Sequence, residues 1–148
     1  MSGEKKSKVV LAGSPRIKKR PGLKTSSKEE PKRLQPTPET MKELFALSGN
    51  ICAMQDCDHL IYDGNGVLLG QACHIRAALP GGPRFDATMS NEQRRHISNL
   101  MLMCSGHHTQ IDSKKYENEF PLDRVLNIKA RHESNFKGAG RELRKAFK

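Results

Sequence analysis

The sequence lacks tryptophan altogether and has only five phenylalanines and two tyrosines among 148 residues. Hydrophobic residues make up 35% of the chain, so its apolar core is small, and cores of this kind are often supported by a metal ion. No apolar run approaches the roughly 18 residues of a membrane-spanning helix, and the first residues lack the apolar segment of a signal peptide. We therefore expect a cytoplasmic protein that does not enter a membrane. In that compartment, cysteines at short spacings bind metal more often than they form disulfides.

Acidic residues are scarce in the first 38 positions. Residues 1–38 hold eleven Lys or Arg and three Glu, a net charge of +8, whereas residues 39–148 hold fifteen Lys or Arg and thirteen Asp or Glu, a net of +2. The first segment also lacks apolar periodicity, and we predict that it is a disordered basic tail. It is either a solubilising leader or an arm that contacts nucleic-acid phosphates.

A folded domain is predicted over residues 39–135, followed by a basic C-terminal extension over residues 136–148. The stretch TPETMKELFALSGN predicts a helix that Thr37 caps and Gly49 ends. The other predicted elements are the strands VLLGQACHI (67–75) and LMLMC (100–104) and the amphipathic helix LDRVLNIKARHE (122–133). Together these elements predict an α+β fold.

Four side chains have the chemistry and the spacing of a structural zinc site. Cys52 and Cys57 are separated by four residues, and Cys104 and His107 by two. Thiolates and imidazoles are ligands that zinc favours, and a closed set of four protein ligands is typical of structural sites. The alternative is that the cysteines are small apolar residues of the core.

A second group of polar residues remains once zinc is assigned. In a helix that begins near His107, His108 and Asp112 share one face at positions i and i+4, and together they can hold one divalent ion. His74 ends the first predicted strand and Asn99 precedes the second, so both side chains can face one cleft. An ion there keeps positions for water and a phosphate oxygen, which is a hydrolytic arrangement. The alternative is a set of unrelated polar residues that cap, turn or pack.

The order of these residues resembles that of the HNH endonuclease family. The resemblance covers about residues 46–134: a cysteine knuckle, HI at a strand end, a GGPR loop, NL, C-x2-H-H with a following ID, and a closing K-x2-HE. It implies a small ββα-metal (HNH) unit, braced by the structural zinc site and by flanking helices. It also implies a bacterial or phage-encoded, metal-dependent endonuclease that hydrolyses phosphodiester bonds in double-stranded DNA.

The resemblance implies a role for each residue of the second group. His74 is implied to be the general base, Asn99 the residue that orients it, and His108 a ligand of the catalytic ion. Asp112 matches a helix position at which some family members place a second ligand. Cys73 departs from the pattern, because many members have an acidic residue or a histidine at this ligand position. A thiol suits Mg²⁺ poorly, so either water completes the shell of the ion, or a softer ion such as Mn²⁺, Ni²⁺ or Zn²⁺ replaces Mg²⁺, or the site is inactive.

Arginines near the expected cleft are candidates for DNA binding. Arg76, Arg84, Arg94 and Arg95 can donate to phosphate oxygens, and the alternative for each is a solvated loop charge. Two other functions are compatible with the sequence. One is a non-catalytic, zinc-stabilised nucleic-acid-binding module. The other is a zinc-stabilised protein-interaction domain whose tail binds acidic partners.

Overall fold

The computed structural model describes residues 29–138. This part of the chain has the predicted α+β class, and it contains four α-helices and one two-stranded antiparallel sheet. In chain order the elements are α1 (Pro38–Ser48), β1 (Gly70–His74), α2 (Asn91–Arg95), β2 (Leu100–Cys104), α3 (Ser105–Ile111) and α4 (Leu122–Ser134), with 3-10 turns at Ile97–Asn99 and Lys114–Tyr116. None of the helices in this range has the length and the apolar character to span a membrane.

The first helix begins and ends where the sequence predicts. The Thr37 side chain accepts a hydrogen bond from the Thr40 amide at 3.2 Å, and Pro38 occupies the first turn. Gly49 follows the helix in the left-handed region with φ +60°. A Cβ atom at this position would overlap the Phe136 ring, so both the backbone conformation and the packing require glycine here.

The two predicted strands form the sheet and lie at the centre of the core. Gly70 pairs with Cys104 at one end and His74 with Leu100 at the other. Every residue of β2 is buried, as expected for a strand that is apolar on both faces. Helix α1 packs on β2, while α3 packs on both strands. The buried apolar residues form one cluster: Leu44, Cys52, Ala53, Ile61, Cys73, Ile75, Leu100, Met101, Leu102, Met103, Cys104, Ile111, Phe120 and Val125.

Helix α4 contacts α1 through the residues of the K-x2-HE motif. The His132 imidazole Nε2 hydrogen-bonds with the Ser48 carbonyl at 2.8 Å, and Lys129 forms an ion pair with Glu133 one turn along α4. Both side chains of this pair are largely buried. The closing K-x2-HE motif is therefore part of the contact between the two helices.

Residues 29–37 are held by the fold, although the sequence analysis assigned them to the disordered tail. The Glu29 carboxylate accepts from the Asn91 amide at 3.0 Å, and the Lys32 amide donates to Asn91 Oδ1 at 2.7 Å. Further along, the Gln35 carbonyl accepts from Arg95 Nη1 at 3.0 Å. The structured domain therefore begins by residue 29 rather than 39. The remainder of the predicted tail, residues 1–28, and most of the predicted extension, residues 139–148, lie outside the described residues.

Helix α2, which the sequence did not predict, places Arg94 inside the protein. Ser90 and Gln93 form a reciprocal capping box at the start of this helix. The Arg94 guanidinium donates to Asn91 Oδ1 and to the Asp86 carbonyl, and it stacks on the Phe85 ring at 4.8 Å. Arg94 is only 2% exposed, so the expectation that it contacts DNA is replaced by a structural role.

Arg84 is likewise a structural residue rather than a solvated loop charge or a DNA contact. Its guanidinium donates to three main-chain carbonyls, those of Ile75 at 2.6 Å, Ile111 at 2.9 Å and Phe120 at 3.2 Å. Its own amide donates to the Glu117 carboxylate at 2.9 Å. In this way Arg84 joins the ends of β1 and α3 to the start of α4. The same bonds offset the free-energy cost of its left-handed backbone conformation, φ +56°.

We expect Arg84→Gln to lower the free energy of unfolding by about 2–4 kcal/mol, because at least two partly buried carbonyls lose their donors. The matched control is Arg95→Gln. Arg95 forms an exposed ion pair with Glu92, so its loss should cost less than about 1 kcal/mol. Urea unfolding followed by circular dichroism measures both values. Equal costs for the two variants would contradict the structural role of Arg84.

Candidate functional site

Three cysteines and one histidine come together as a four-ligand cluster. The ligand atoms of Cys52, Cys57, Cys104 and His107 all lie within 4.8 Å of one another. His107 Nδ1 is 3.5 Å from Cys52 Sγ and 3.3 Å from Cys104 Sγ. A tetrahedral zinc ion, with bonds of about 2.3 Å to sulfur and about 2.0 Å to nitrogen, requires a separation of about 3.5 Å between such atoms. The predicted cluster is therefore confirmed as a group that can hold a metal ion such as zinc.

The knuckle, residues 52–57, lies at the cluster because it is hydrogen-bonded to β2. The Ala53 amide donates to the Leu102 carbonyl at 3.0 Å, which holds Cys52 beside the end of the strand. Asp56 adopts a left-handed conformation, φ +63°, and so turns the chain back before Cys57. Cys104 ends β2 and His107 lies in the first turn of α3, so the strand-to-helix junction supplies the other pair.

The electrostatics of the cluster fit a bound cation. Burial raises the pKa of Cys52 to about 12, so its thiolate is unfavourable in this position unless a cation is nearby. Burial also raises the pKa of Cys104, but the His107 amide and the His59 imidazole outweigh it and lower the pKa to about 6. His59 lies near the Cys104 thiolate, which raises the pKa of its imidazole.

His74 is a buried base at the end of β1. It is 6% exposed, and its Nε2 atom has no hydrogen-bond partner within residues 29–138. Burial, followed by the positive charge of Arg33, lowers its pKa from the ordinary 6.5, while Asp112 acts in the opposite direction and His108 in the same one. The imidazole is therefore neutral near pH 7, and His108 and Asp112 belong to its surroundings. Nothing in the sequence indicates that Arg33 belongs to this group.

His108 lies in α3, and Asp112 follows one turn later as the C-terminal cap residue of the helix, at the i, i+4 spacing that the sequence indicates. The Asp112 amide donates to the His108 carbonyl at 2.9 Å, so the helical turn between them is intact. Both side chains are partly exposed. Among the described residues, the cysteine cluster is the one group that brings three or more metal-ligating side chains together. An ion beside His74 would therefore have at most two protein ligands from this helix.

Asn99 acts on the backbone beside His74. Its Nδ2 donates to the carbonyls of Arg76 at 2.9 Å and Arg94 at 2.8 Å, and its Oδ1 accepts from the Arg76 amide at 2.9 Å. The Asn99 carbonyl also accepts from the Ile75 amide at 2.9 Å. Asn99 is 1% exposed; its side chain fixes Arg76, and its main-chain carbonyl holds Ile75. It thus holds the chain that carries the imidazole, without a bond to the imidazole itself.

Cys73 belongs to the core and not to a metal shell. It is fully buried, and Sγ makes a weak contact with the His74 carbonyl at 3.9 Å. Burial, with a further contribution from the Asp112 charge, raises the pKa of Cys73 well above its ordinary value. Cys73 has no exposed surface, packs in the apolar cluster and lies outside the four-ligand group, so we remove it from the candidate catalytic ligands.

The remaining two candidate arginines lie at the surface. The Arg76 guanidinium makes no hydrogen bond or ion pair within the described range. Arg95 is paired with Glu92 and with the Gln35 carbonyl, but it keeps part of its surface in solvent. Of the four arginines, Arg76 is therefore the one whose charge is available to a ligand.

A groove of about 540 Å³ lies between the knuckle and α4. Its basic and polar lining includes Arg124, Asn127, Arg131 and His132. None of His74, His108 and Asp112 lines it. The groove histidine is already bonded to Ser48, so we place the candidate catalytic site at His74, where a buried base lacks a partner.

No model of a known protein family matches the chain, and a search of curated proteins gives no match either.

Proposed function

We propose that the protein is a metal-dependent DNA endonuclease of the HNH type. The observation that carries the proposal is the His74 imidazole, which is buried, has a lowered pKa and keeps Nε2 free of hydrogen bonds within the described residues. An unpaired polar atom in a buried position lowers stability, and such groups occur preferentially at functional sites. The order β1, β2, α3 beside a four-ligand metal cluster supports the resemblance on which the proposal draws.

In this mechanism His74 removes a proton from the attacking water, and the hydroxide attacks the phosphorus of the scissile phosphodiester. The phosphorus–oxygen bond to the 3′ oxygen breaks, and that oxygen leaves with its electron pair. Asn99 holds the backbone after His74 and so keeps the imidazole in place. His108 and Asp112 would hold a divalent ion, which stabilises negative charge on the phosphate and on the leaving oxygen.

The donor set at this position favours a particular group of ions. One imidazole and one carboxylate combine a nitrogen and an oxygen ligand, and the loss of Cys73 from the set removes the soft sulfur donor. Mn²⁺ and Ni²⁺ accept such mixed ligands readily, and Mg²⁺ accepts them when water fills the other positions. We expect all three to support activity, with Mg²⁺ the weakest binder of the three.

One observation favours a second function, a non-catalytic nucleic-acid-binding module stabilised by zinc. Within residues 29–138, His74, His108 and Asp112 do not assemble into a group with the spacing of a metal site. In this alternative His74 serves packing, and the basic residues alone bind nucleic acid.

A plasmid nicking assay distinguishes the two functions. We expect supercoiled plasmid to be nicked in Mn²⁺, Ni²⁺ or Mg²⁺ and to stay intact in EDTA added at the start of the reaction. Addition of excess Mn²⁺ without zinc should restore activity, because the proposed catalytic ion exchanges while the four-ligand site stays filled. Circular dichroism in the same EDTA buffer verifies that the fold persists during the assay. Absence of nicking with every ion, together with retained DNA binding, would favour the module.

A further inference from the structure

Residues 29–37, which we name the strap, are held against α2 by one buried side chain. Asn91 accepts from the Lys32 amide through Oδ1 at 2.7 Å and donates through Nδ2 to the Glu30 carbonyl at 2.9 Å. Its own amide donates to the Glu29 carboxylate at 3.0 Å. Asn91 is 2% exposed, so these bonds are shielded from water. The strap is therefore fixed at the position immediately before Arg33.

The same asparagine connects the strap to the residue after β1. Arg94 Nη1 donates to Asn91 Oδ1 at 3.0 Å, and the Arg94 carbonyl accepts from Asn99 Nδ2 at 2.8 Å. Asn99 in turn bonds both the amide and the carbonyl of Arg76. Asn91, Arg94 and Asn99 thus form a continuous buried network with the strap at one end and Arg76 at the other. Because all three side chains are 2% exposed or less, the network fixes both ends relative to His74.

The two ends of the network carry guanidinium groups that have no protein partner within the described residues. Arg33 is exposed and Arg76 is partly exposed, and neither side chain forms a hydrogen bond or an ion pair there. The other candidate arginines are occupied by carbonyls or by a carboxylate. Arg33 follows directly on Lys32, whose amide is bonded to the buried Asn91, and its positive charge adds to burial in lowering the pKa of the His74 imidazole. Two unpaired positive groups beside a buried base have the chemistry of an anion site.

We propose that Arg33 and Arg76 form a phosphate-binding pair beside His74, and that the strap is a substrate-binding element. The ligand is the phosphodiester backbone of a nucleic acid, because the planar, forked donors of arginine match phosphate oxygens. This inference rests on the proposed function for the identity of the ligand. It also assigns the phosphate contact to a residue 41 positions away from the base in the sequence.

The test measures DNA affinity separately from cleavage. Fluorescence anisotropy with a labelled DNA duplex, in buffer without added divalent ions, compares the parent with Arg33→Gln, Arg33→Lys and Lys32→Gln. Lys32 is the matched control, since it is exposed, adjacent and loses the same charge, but it is not among the groups that act on His74. We expect Arg33→Gln to weaken binding roughly tenfold and to reduce the slope of log affinity against log salt by about 1. Arg33→Lys should recover part of the loss, and Lys32→Gln should weaken binding by less than about threefold.

The outcomes separate this inference from the proposed function. Equal losses in Arg33→Gln and Lys32→Gln would mean that the strap contributes only general charge, and would overturn the inference. If the parent nicks plasmid and Arg33→Gln binds and cuts as well as the parent, the inference fails while the nuclease stands. If the parent cuts nothing but Arg33→Gln alone loses affinity, the phosphate-binding pair stands and the nuclease fails.

Discussion

Replacement of His74 by alanine is expected to reduce the rate of plasmid nicking about 10²–10⁴-fold, the usual contribution of a general base. The fold should persist, because the change removes a buried nitrogen that has no partner among the described residues. Relief of that unpaired atom offsets part of the cost of the small cavity that the imidazole leaves. We therefore expect the free energy of unfolding to stay within about 1–2 kcal/mol of the parent value.

The matched control for this variant is His96→Ala. His96 is exposed and its Nδ1 caps the short turn before β2, so it lies outside the proposed chemistry. We expect its nicking rate to stay within about twofold of the parent. DNA affinity and zinc content should be unchanged in both variants. A His74→Ala protein that cuts at the parental rate would exclude His74 as the general base.

The parts of the fold that the sequence predicts are those with local signals. The helix cap at Thr37 and the left-handed Gly49 lie within a few residues of the helix that they bound. The apolar run of β2 and the short cysteine spacings are equally local, and both led to the correct element or cluster. Each of these features depends on the chemistry of neighbours along the chain, which the sequence displays directly.

Arg84 and Arg94 were misassigned because their partners are distant in the sequence and carry no signature. Arg84 bonds to the main-chain carbonyls of Ile75, Ile111 and Phe120. Every residue has the same main-chain carbonyl, so the side chains of these partners do not mark them in the sequence. In the sequence, a guanidinium after GGP has the appearance of a solvated loop charge. Arg33 is the opposite case: it falls within a basic, proline-containing segment, but hydrogen bonds to Asn91 hold that segment, and the charge of Arg33 acts on His74. Whether a long, flexible arginine side chain is buried or exposed is settled only by the packed core around it.

A metal requirement for folding is the prediction with the largest expected effect on stability. We expect one zinc ion per chain by mass spectrometry, and we expect Cys52→Ala to lose it. Structural zinc sites contribute roughly 10–16 kcal/mol in zinc-finger peptides, which is comparable to or larger than the roughly 5–15 kcal/mol that stabilises a typical domain. Cys52→Ala should therefore unfold at room temperature, with loss of the helical circular dichroism signal.

The chain provides a control in its other fully buried cysteine. Cys52 and Cys73 are 1% and 0% exposed, so alanine removes the same buried sulfur from either position. The Cys73 sulfur lies outside the four-ligand cluster, and its replacement should cost only about 1–2 kcal/mol and leave the zinc in place. If burial alone governed these cysteines, the two variants would lose similar stability. A large difference, with zinc lost from Cys52→Ala only, is the result that a metal-dependent fold requires.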